Sequence, residues 1–331
     1  MIARAGMLST VVLLLLAGCT AQPMPPGPAI VQPAMSDDAF VMPDDARLPY
    51  RAWLPDGAPK AVILALHGMN DSRDAWEYPA PAFAAAGLAV FAPDQRGFGA
   101  TATRGYWPGT EGLVADATAM AALLRARYPG VQLFLMGESM GAAVLMVAAT
   151  STVPPPVDGY VLLAPAVWGR AEMNIVLRAA LWLAAKTVPG WRTTGRGFIN
   201  ITASDNREAL IRLSTDPLTL HGARVDAMRG VVDLMDAALA AAPRFQAPAL
   251  FLYGGHDQAI PPRATDATWN RLPPGPIRAF YPDGYHLMLR DKGRAAPIGD
   301  IVNWILHPDW GGLVSAADRA ALDRHVNAAV E

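Results

Sequence analysis

Short apolar runs alternate with longer amphipathic stretches between residues 37 and 308. Six of these runs are almost continuously apolar, which is typical of strands buried on both faces of a parallel sheet. The six runs are residues 61–66, 88–92, 131–136, 160–163, 249–253 and 277–281. Two weaker strands are predicted before them, at residues 39–42 and 48–53. The alternation predicts an α/β protein with a mostly parallel, eight-stranded sheet flanked by helices.

The amphipathic stretches predict the helices of this core. They lie at residues 72–86 (with Ser72 as N-cap), 111–128, 140–150, 262–271 and 297–306. Residues 165–247 interrupt the alternation, because they contain helical stretches, at residues 171–186 and 224–241, but no strong candidate for a core strand. A structureless loop of that length is improbable, so we predict a helical cap inserted after the sixth strand, over the C-terminal edge of the sheet.

The predicted domain boundaries follow from these patterns. The core occupies residues 37–166 and 245–310, and the cap occupies residues 167–244. A final segment, residues 311–331, is predicted to form a surface helix without evident chemistry.

The N-terminus has the pattern of an export signal. Arg4 precedes an apolar run that is too short to span a membrane comfortably and ends in small residues, so residues 1–18 are predicted to be a signal peptide. Leu16-Ala17-Gly18-Cys19 resembles the bacterial lipobox, which implies that Cys19 is lipidated and becomes the first residue of the mature protein. An ordinary signal peptide with an incidental cysteine is the alternative.

The residues after Cys19 predict how the protein is held. Residues 19–36 are rich in proline and almost uncharged, as in a semi-extended tether. We therefore expect a lipid-anchored protein of the bacterial cell envelope. Thr20 lacks the aspartate that is associated with inner-membrane retention in some bacteria, so it is compatible with the outer membrane.

Charge and cysteine content exclude some classes of function. The formal net charge is −2, so there is no general basic surface for nucleic acid. Cys19 is the only cysteine, which excludes an intrachain disulfide. After the leader, no apolar run is long enough for a transmembrane helix. The oligomeric state stays open.

Gly137-Glu138-Ser139-Met140-Gly141 lies where a predicted strand gives way to a predicted helix. A serine on such a sharp turn has a strained backbone, and only small residues two positions away on each side let the neighbouring chains pass. The turn exposes the Ser139 hydroxyl beside a helix N-terminus, whose free N–H groups favour developing negative charge. Ser139 is therefore the candidate nucleophile for acyl transfer.

A serine nucleophile needs a histidine base and an orienting carboxylate, which on this type of sheet follow it in the order acid, then histidine. His286 lies in the loop after the last strand and is the candidate base. Asp257 lies just beyond the preceding strand and is the candidate acid, whereas Asp283 is interpreted as a turn former. The other histidines downstream of Ser139 are less well placed: His221, His256, His307 and His325.

The oxyanion of acyl transfer needs two N–H donors. We expect one from the backbone of Met140, directly after the nucleophile, and one from Met69, in the loop after the third strand. His67 begins that loop and is interpreted as a turn-supporting residue outside the proton relay. Asp94 and Arg96 could be catalytic in principle, but a turn held by charge is the favoured interpretation.

These motifs together resemble the α/β-hydrolase fold, in the branch of monoacylglycerol lipases and lysophospholipases that is often called serine aminopeptidase-like. The matching segments are His67-Gly68, residues 94–99 and 137–141, Asp216-Pro217, Gly255-His256-Asp257 and Tyr285-His286. They occur in the family's order over residues 61–289, and the resemblance places the triad at Ser139, Asp257 and His286. The lipobox, the tether and the C-terminal helix depart from the family pattern.

The resemblance also implies a helical cap that lines a lipophilic acyl channel. This suits the apolar residues 171–183 and the tryptophans Trp168, Trp182 and Trp191, for which packing of the cap on the core is an equal alternative. The expected function is hydrolysis of monoacylglycerols, lysophospholipids or similar single-chain esters, with no metal or organic cofactor. A short-chain carboxylesterase, an aminopeptidase-like hydrolase or an acyltransferase would use the same triad. A non-catalytic envelope scaffold is the alternative of a different class.

Overall fold

A computed structural model describes residues 23–194 and 201–307. Its strands, in chain order, are β1 (Ala34–Met35), β2 (Ala39–Val41), β3 (Arg47–Trp53), β4 (Ala61–Leu66), β5 (Leu88–Pro93), β6 (Gln132–Glu138), β7 (Gly159–Leu163), β8 (Arg192–Thr193), β9 (Ala223–Arg224), β10 (Ala249–Gly254) and β11 (Ile277–Tyr281). Nine of these described strands form one sheet in the order β1-β2-β3-β5-β4-β6-β7-β10-β11. The six strands from β5 to β11 are parallel, and β1, β2 and β3 pair antiparallel.

The predicted α/β architecture with a mostly parallel sheet is confirmed, and all eight predicted strands are present. Strands β4, β5, β7 and β10 are buried along their whole length, which explains why their sequences are continuously apolar. The ninth strand is β1, a two-residue edge strand that lies inside the segment predicted to be a tether.

The described α-helices, in chain order, are α1 (Ala80–Ala85), α2 (Thr110–Arg127), α3 (Met140–Ala149), α4 (Ile175–Thr187), α5 (Arg207–Thr215), α6 (Val225–Ala241), α7 (Pro262–Arg271) and α8 (Ala295–Leu306). The helix predicted over residues 72–86 is divided. Ser72 does act as an N-cap, but for a 3-10 turn, Arg73–Trp76, and α1 begins only after Pro79. Pro79 and Pro81 lack the N–H groups that a continuous helix would need.

The core consists of two apolar layers, one on each face of the sheet. One layer contains residues of α2, α3, α6 and α7. The other contains residues of α1 and α8, including the buried Trp304, whose ring packs edge-on against Phe134 of β6. Because β6, the strand that precedes Ser139, lies in the middle of the sheet, both layers pack against it.

The cap differs from the prediction in its details. Helices α4 and α6 match the predicted stretches, but α5 was missed, and β8 and β9 form a small antiparallel ribbon apart from the main sheet. Helix α4 is largely solvent-exposed. Trp182 and Trp191 are 60% and 64% exposed, so neither packs into the core, whereas Trp168 packs against it.

The proline-rich segment is also different from the expected tether over the part that the structure describes. The N–H of Met24 donates to the carbonyl oxygen of Trp107 at 2.9 Å, and the N–H of Ile30 donates to Pro43 at 2.7 Å. Gly27 donates to Oδ2 of Asp44 at 2.9 Å. These contacts bind the segment to the core from Met24 onward, because its extended backbone can hydrogen-bond to neighbouring loops.

The predicted signal peptide, Cys19 and the C-terminal helix at residues 311–331 lie outside the described residues and stay predictions. In the part of the chain that the structure describes, no helix combines the length and the apolar character needed to cross a bilayer.

Candidate active site

Ser139 lies between β6 and α3, with φ +54° and ψ −111°. Positive φ is unusual for a residue with a side chain and is typical of the strained turn that exposes a nucleophile. The turn is held by its backbone, since the N–H of Ser139 donates to Leu163 and its carbonyl oxygen accepts from Ala143 and Ala166. The strain predicted from the sequence is therefore present and supported on both sides.

The two glycines around Ser139 permit a very close approach of neighbouring chains. A Cβ on Gly137 would lie 2.5 Å from the backbone N of Ala142, and a Cβ on Gly141 would lie 2.3 Å from the carbonyl oxygen of Leu66. Both distances are far below van der Waals contact. Side chains at these positions would therefore force the turn away from α3 or from the end of β4.

The loop after β4 lies beside Ser139. A Cβ on Gly68 would be 3.4 Å from the Cβ of Ser139. The ring of His67 is fully buried, and its Nε2 accepts from the N–H of Gln95 at 3.1 Å. Its Nδ1 therefore carries the proton and donates to the carbonyl oxygen of Gly68 at 2.7 Å. Burial lowers the pKa of His67 below its usual value, which favours this neutral form.

The hydrogen bond from His67 orients the predicted oxyanion donor. In a trans peptide the carbonyl and the following N–H point in opposite directions, so fixing the oxygen of Gly68 also fixes the N–H of Met69. Within the described residues, neither the N–H of Met69 nor that of Met140 has an acceptor. Both groups are therefore free to bind a ligand oxygen.

Asp257 and His286 form a buried pair at the same edge of the sheet. Nδ1 of His286 lies 2.8 Å from Oδ2 of Asp257. The other carboxylate oxygen of Asp257 accepts from the N–H groups of Ala259 and Ile260, at 2.8 and 2.9 Å. Because a carboxylate only accepts, Nδ1 carries the proton and Nε2 is left as the basic nitrogen.

The electrostatic surroundings of His286 favour its protonated form. Burial alone lowers the pKa of His286, but the charge of Asp257 and its hydrogen bond outweigh burial, and Glu138 adds to their effect. Arg290 opposes them. The net result is a pKa above the usual value for histidine, which suits a base that must accept a proton from an alcohol.

The loops that carry this pair are locked together. The N–H of Gly255 donates to Tyr281 and that of His256 donates to Gly284, each at 2.8 Å. A Cβ on Gly254 would lie 2.3 Å from the carbonyl oxygen of Gly284, so the two loops are in direct backbone contact. The relative position of acid and base is therefore set by the backbone.

The predicted hydrogen bond from Ser139 to His286 is not among the observed contacts of the described residues. Within the described residues the hydroxyl of Ser139 has no hydrogen-bond partner. Contacts between a nucleophile and its base are often long in a ligand-free site and shorten when substrate binds. The structure thus joins Asp257 to His286 and brings the Gly68 loop to Ser139, while the bond from Ser139 to His286 stays a prediction.

The competing candidates have other positions. Asp283 is exposed, as are His221, His256 and His307, while His325 is outside the described residues. Asp94 holds a turn by accepting from the N–H groups of Arg73 and Ala100, as interpreted from the sequence.

Arg96 is likewise structural. It is buried and binds Asp44 and Asp116. Among residues 23–194 and 201–307, no group of three or more His, Cys, Asp or Glu side chains is placed to hold a metal ion.

A buried ion network beneath the site was missed by sequence reasoning. Arg290 binds Asp71 and Glu138, and all three side chains are less than 10% exposed. Their sequence separations are 219 and 152 residues, so no local pattern indicates that they meet.

Comparison with known proteins identifies the family. The family model described as serine aminopeptidase, S33 (Hydrolase_4) matches residues 57–293, which include every residue of the predicted triad. The chain belongs to this family.

Individual relatives agree with this assignment. The chain is 25% identical over 283 residues to a monoacylglycerol lipase of Mycolicibacterium smegmatis, covering 84% of this chain and 99% of the relative. It is 26% identical to a monoglyceride lipase of Rattus norvegicus, covering 78% of this chain and 83% of the relative. The resemblance to the monoacylglycerol lipase branch of the α/β-hydrolases is confirmed.

Solved structures share the fold. A monoglyceride lipase of Saccharomyces cerevisiae, solved as a soluble variant with a substrate analog, superposes with a TM-score of 0.68 at 17% identity, covering 89% of this chain and 99% of that one. A monoacylglycerol lipase of Paleococcus ferrophilus superposes with a TM-score of 0.66 at 22% identity, covering 78% of this chain and 98% of that one.

Proposed function

We propose that this protein, a serine ester hydrolase, cleaves esters of single lipophilic acyl chains, such as monoacylglycerols or lysophospholipids. The observation that carries the proposal is a grouping at one edge of the sheet: a strained Ser139, two N–H groups without acceptors among the described residues, and the buried Asp257–His286 pair. This set matches what acyl transfer needs: a nucleophile, a base and donors for an oxyanion.

The reaction would proceed through an acyl-enzyme. Ser139 Oγ attacks the ester carbonyl while Nε2 of His286 accepts its proton, and Asp257 stabilises the imidazolium that forms. The N–H groups of Met69 and Met140 bind the oxyanion, each typically contributing ~3 kcal/mol to the transition state. His286 then protonates the leaving alcohol. Water, activated by the same histidine, releases the fatty acid.

The cap supports a lipophilic substrate. Helix α4 presents apolar side chains to solvent, with Ile175 and Val176 72% and 74% exposed. Monomeric proteins rarely expose a contiguous apolar patch unless it contacts an apolar ligand, partner or lipid. The similarity to monoacylglycerol and monoglyceride lipases also supports a lipophilic ester as the substrate.

The acidic residues near the site favour an ester over a peptide substrate. A peptidase that removes N-terminal residues needs a free carboxylate to bind the substrate amine. Glu138 is buried and bound by Arg290, and Asp205 accepts from the backbone of Lys292. Glu172 is exposed on the cap. Glu138 and Asp205 are therefore engaged by other groups, and Glu172 lies on the surface of the cap.

Two measurements test the proposal. A fluorophosphonate probe should label wild-type protein and the half-buried control Ser151→Ala, whose hydroxyl only donates to Ala148 at the end of α3, but not Ser139→Ala. A panel of p-nitrophenyl esters of rising acyl length, with monoacylglycerol and lysophospholipid alongside, should show a preference for long chains. Activity on acetate or butyrate alone would overturn the lipid substrate, and product analysis with an added acceptor alcohol would detect acyl transfer.

We also propose that the protein is anchored to the envelope through lipidated Cys19. Because residues from Met24 onward are bound to the core, only five residue steps separate Cys19 from the folded domain, and these can span at most about 18 Å. The active domain would then lie close to the lipid surface. Cys19→Ala should transfer the protein from the membrane fraction to the soluble fraction, and sedimentation of this variant with membranes would contradict the anchor.

A further inference from the structure

Arg290 lies four residues after His286, at the end of a 3-10 turn, Met288–Arg290. Its Nη2 lies 2.5 Å from Oδ2 of Asp71 and 3.1 Å from Oε1 of Glu138. Asp71 follows the predicted oxyanion donor Met69 by two residues, and Glu138 directly precedes Ser139. One guanidinium nitrogen therefore contacts both the loop that carries Met69 (the oxyanion loop) and the turn that carries Ser139 (the nucleophile turn). Arg290 itself belongs to the loop that carries His286 (the histidine loop).

Each contact is rigidly connected to a catalytic group. The other oxygen of Asp71 accepts from the N–H of Ser72 at 2.8 Å, and the N–H of Asp71 donates to the carbonyl oxygen of Gly68 at 3.3 Å. Gly68 is the residue whose carbonyl sets the direction of the Met69 N–H. A Cβ on Gly68 would lie 3.8 Å from Oε1 of Glu138, so the two carboxylates face the same loop.

Stability alone does not explain this network. Moving three charges out of water carries a desolvation penalty that ion pairing often fails to repay, and apolar residues of the same volume can give an equally stable fold. Here Nε of Arg290 also has no acceptor in the described residues, which adds to the penalty. Burial raises the pKa of Glu138, so its charge depends on the bond to Arg290.

We propose that Arg290 is a positioning residue, which holds the oxyanion loop, the nucleophile turn and the histidine loop in their catalytic arrangement by binding Asp71 and Glu138 together. This inference rests on the proposed function. It assigns to Glu138, which directly precedes the nucleophile, the task of connecting Ser139 to the loop of its base.

The first test replaces the guanidinium by an uncharged side chain of similar length. In Arg290→Met the three loops lose their common contact, and a displacement near 1 Å at the reacting atoms costs about 100-fold in rate. We expect kcat to fall by about that factor with KM changed less than about threefold, since the loss acts on the transition state. Arg290→Lys, which keeps the charge, should recover part of kcat.

Arg96→Met is the matched control. Arg96 is equally buried, with a side chain 4% exposed, and also binds two carboxylates, Asp44 and Asp116. Both variants should lower the melting temperature. Each rate is divided by the number of reactive sites, which is measured by letting a fluorophosphonate react to completion. Unfolded molecules do not react and are therefore not counted. Arg96→Met should then retain kcat per site within about threefold of wild type.

A second variant tests whether the network acts on the base. His286 contacts Asp257 from the loop after β10, and its pKa is also raised by the charge of Glu138 at the end of β6 and lowered by that of Arg290, which binds Asp71. Glu138→Gln keeps an oxygen for Arg290 and removes a negative charge that favours the imidazolium. The acidic limb of the kcat/KM profile should therefore move to lower pH.

The outcomes separate this inference from the proposed function. An active wild type whose Arg290→Met variant has the same kcat per site as Arg96→Met would overturn the positioning role alone. An acidic limb that does not move in Glu138→Gln would also overturn it. A folded wild type that neither reacts with the probe nor hydrolyses any ester would overturn the proposed function, and this inference with it.

Discussion

Gly141→Ala gives a direct test of how tightly the site is assembled. Gly141 is the second residue of α3, two positions after Ser139. An added Cβ would lie 2.3 Å from the carbonyl oxygen of Leu66 and 2.8 Å from that of His67. A carbon and a carbonyl oxygen normally approach to about 3.3 Å, so the start of α3 and the end of β4 must separate by about 1 Å.

The size of the expected effect differs between stability and activity. Overpacking of this kind costs about 1–3 kcal/mol, and replacing glycine by alanine in a helix returns up to about 1 kcal/mol. The net loss of about 0–3 kcal/mol is small beside the 5–15 kcal/mol that is typical of folded domains, so the variant stays folded. A displacement of 1 Å between Ser139 and the Met69 loop costs about 100-fold in rate, which is about 2.7 kcal/mol of transition-state stabilisation.

The assay is kcat on a long-chain p-nitrophenyl ester, with thermal unfolding measured on the same protein. Gly293→Ala is the control, because an added Cβ there has no described atom within 4 Å. We expect the control to match wild type in both measurements. A Gly141→Ala variant that keeps kcat within about threefold of wild type would refute the idea that the contact between α3 and β4 sets the oxyanion geometry.

Two further predictions concern the base and the cap. Since Asp257 holds the pKa of His286 above its usual value, kcat/KM should fall as pH decreases through that raised pKa. In Asp257→Asn the effect of burial on the pKa of His286 dominates, so the acidic limb of the pH-rate profile should move to lower pH while kcat falls. An unmoved limb would contradict the pairing of Asp257 with His286. Trp182 is 60% exposed, so Trp182→Ser should change the melting temperature little. The same substitution should raise KM for monoacylglycerol without affecting hydrolysis of p-nitrophenyl acetate, and equal effects on both substrates would argue against contact between this helix and lipid.

Several features of the molecule were predictable because they depend on local sequence. A strand buried on both faces must be apolar at every position, so β4, β5 and β10 were visible as continuous runs. The nucleophile turn was visible for a similar reason, since the strained φ of Ser139 and the close approach at Gly137 and Gly141 restrict which residues can occupy five consecutive positions. Asp257 and His286 followed from strand order.

Two local features were missed although the sequence carries signals for them: Pro79 and Pro81 divide the first predicted helix, and Asn206 caps the short amphipathic helix α5. Other features needed the tertiary structure. The proline-rich segment has no sequence signal for docking, because its hydrogen bonds to Trp107 and Pro43 use backbone groups that every residue carries.

The ion network is the clearest case. Charge pairs are made by whichever loops the sheet order brings together, and the parallel order β4-β6-β7-β10-β11 places the loops of Asp71, Glu138 and Arg290 at one edge. The amino-acid sequence by itself determined the strands, the strained serine and the chemistry of the candidate triad, since these are properties of short segments. Only the tertiary structure decided which distant charges meet beneath Ser139, since that depends on how the segments pack.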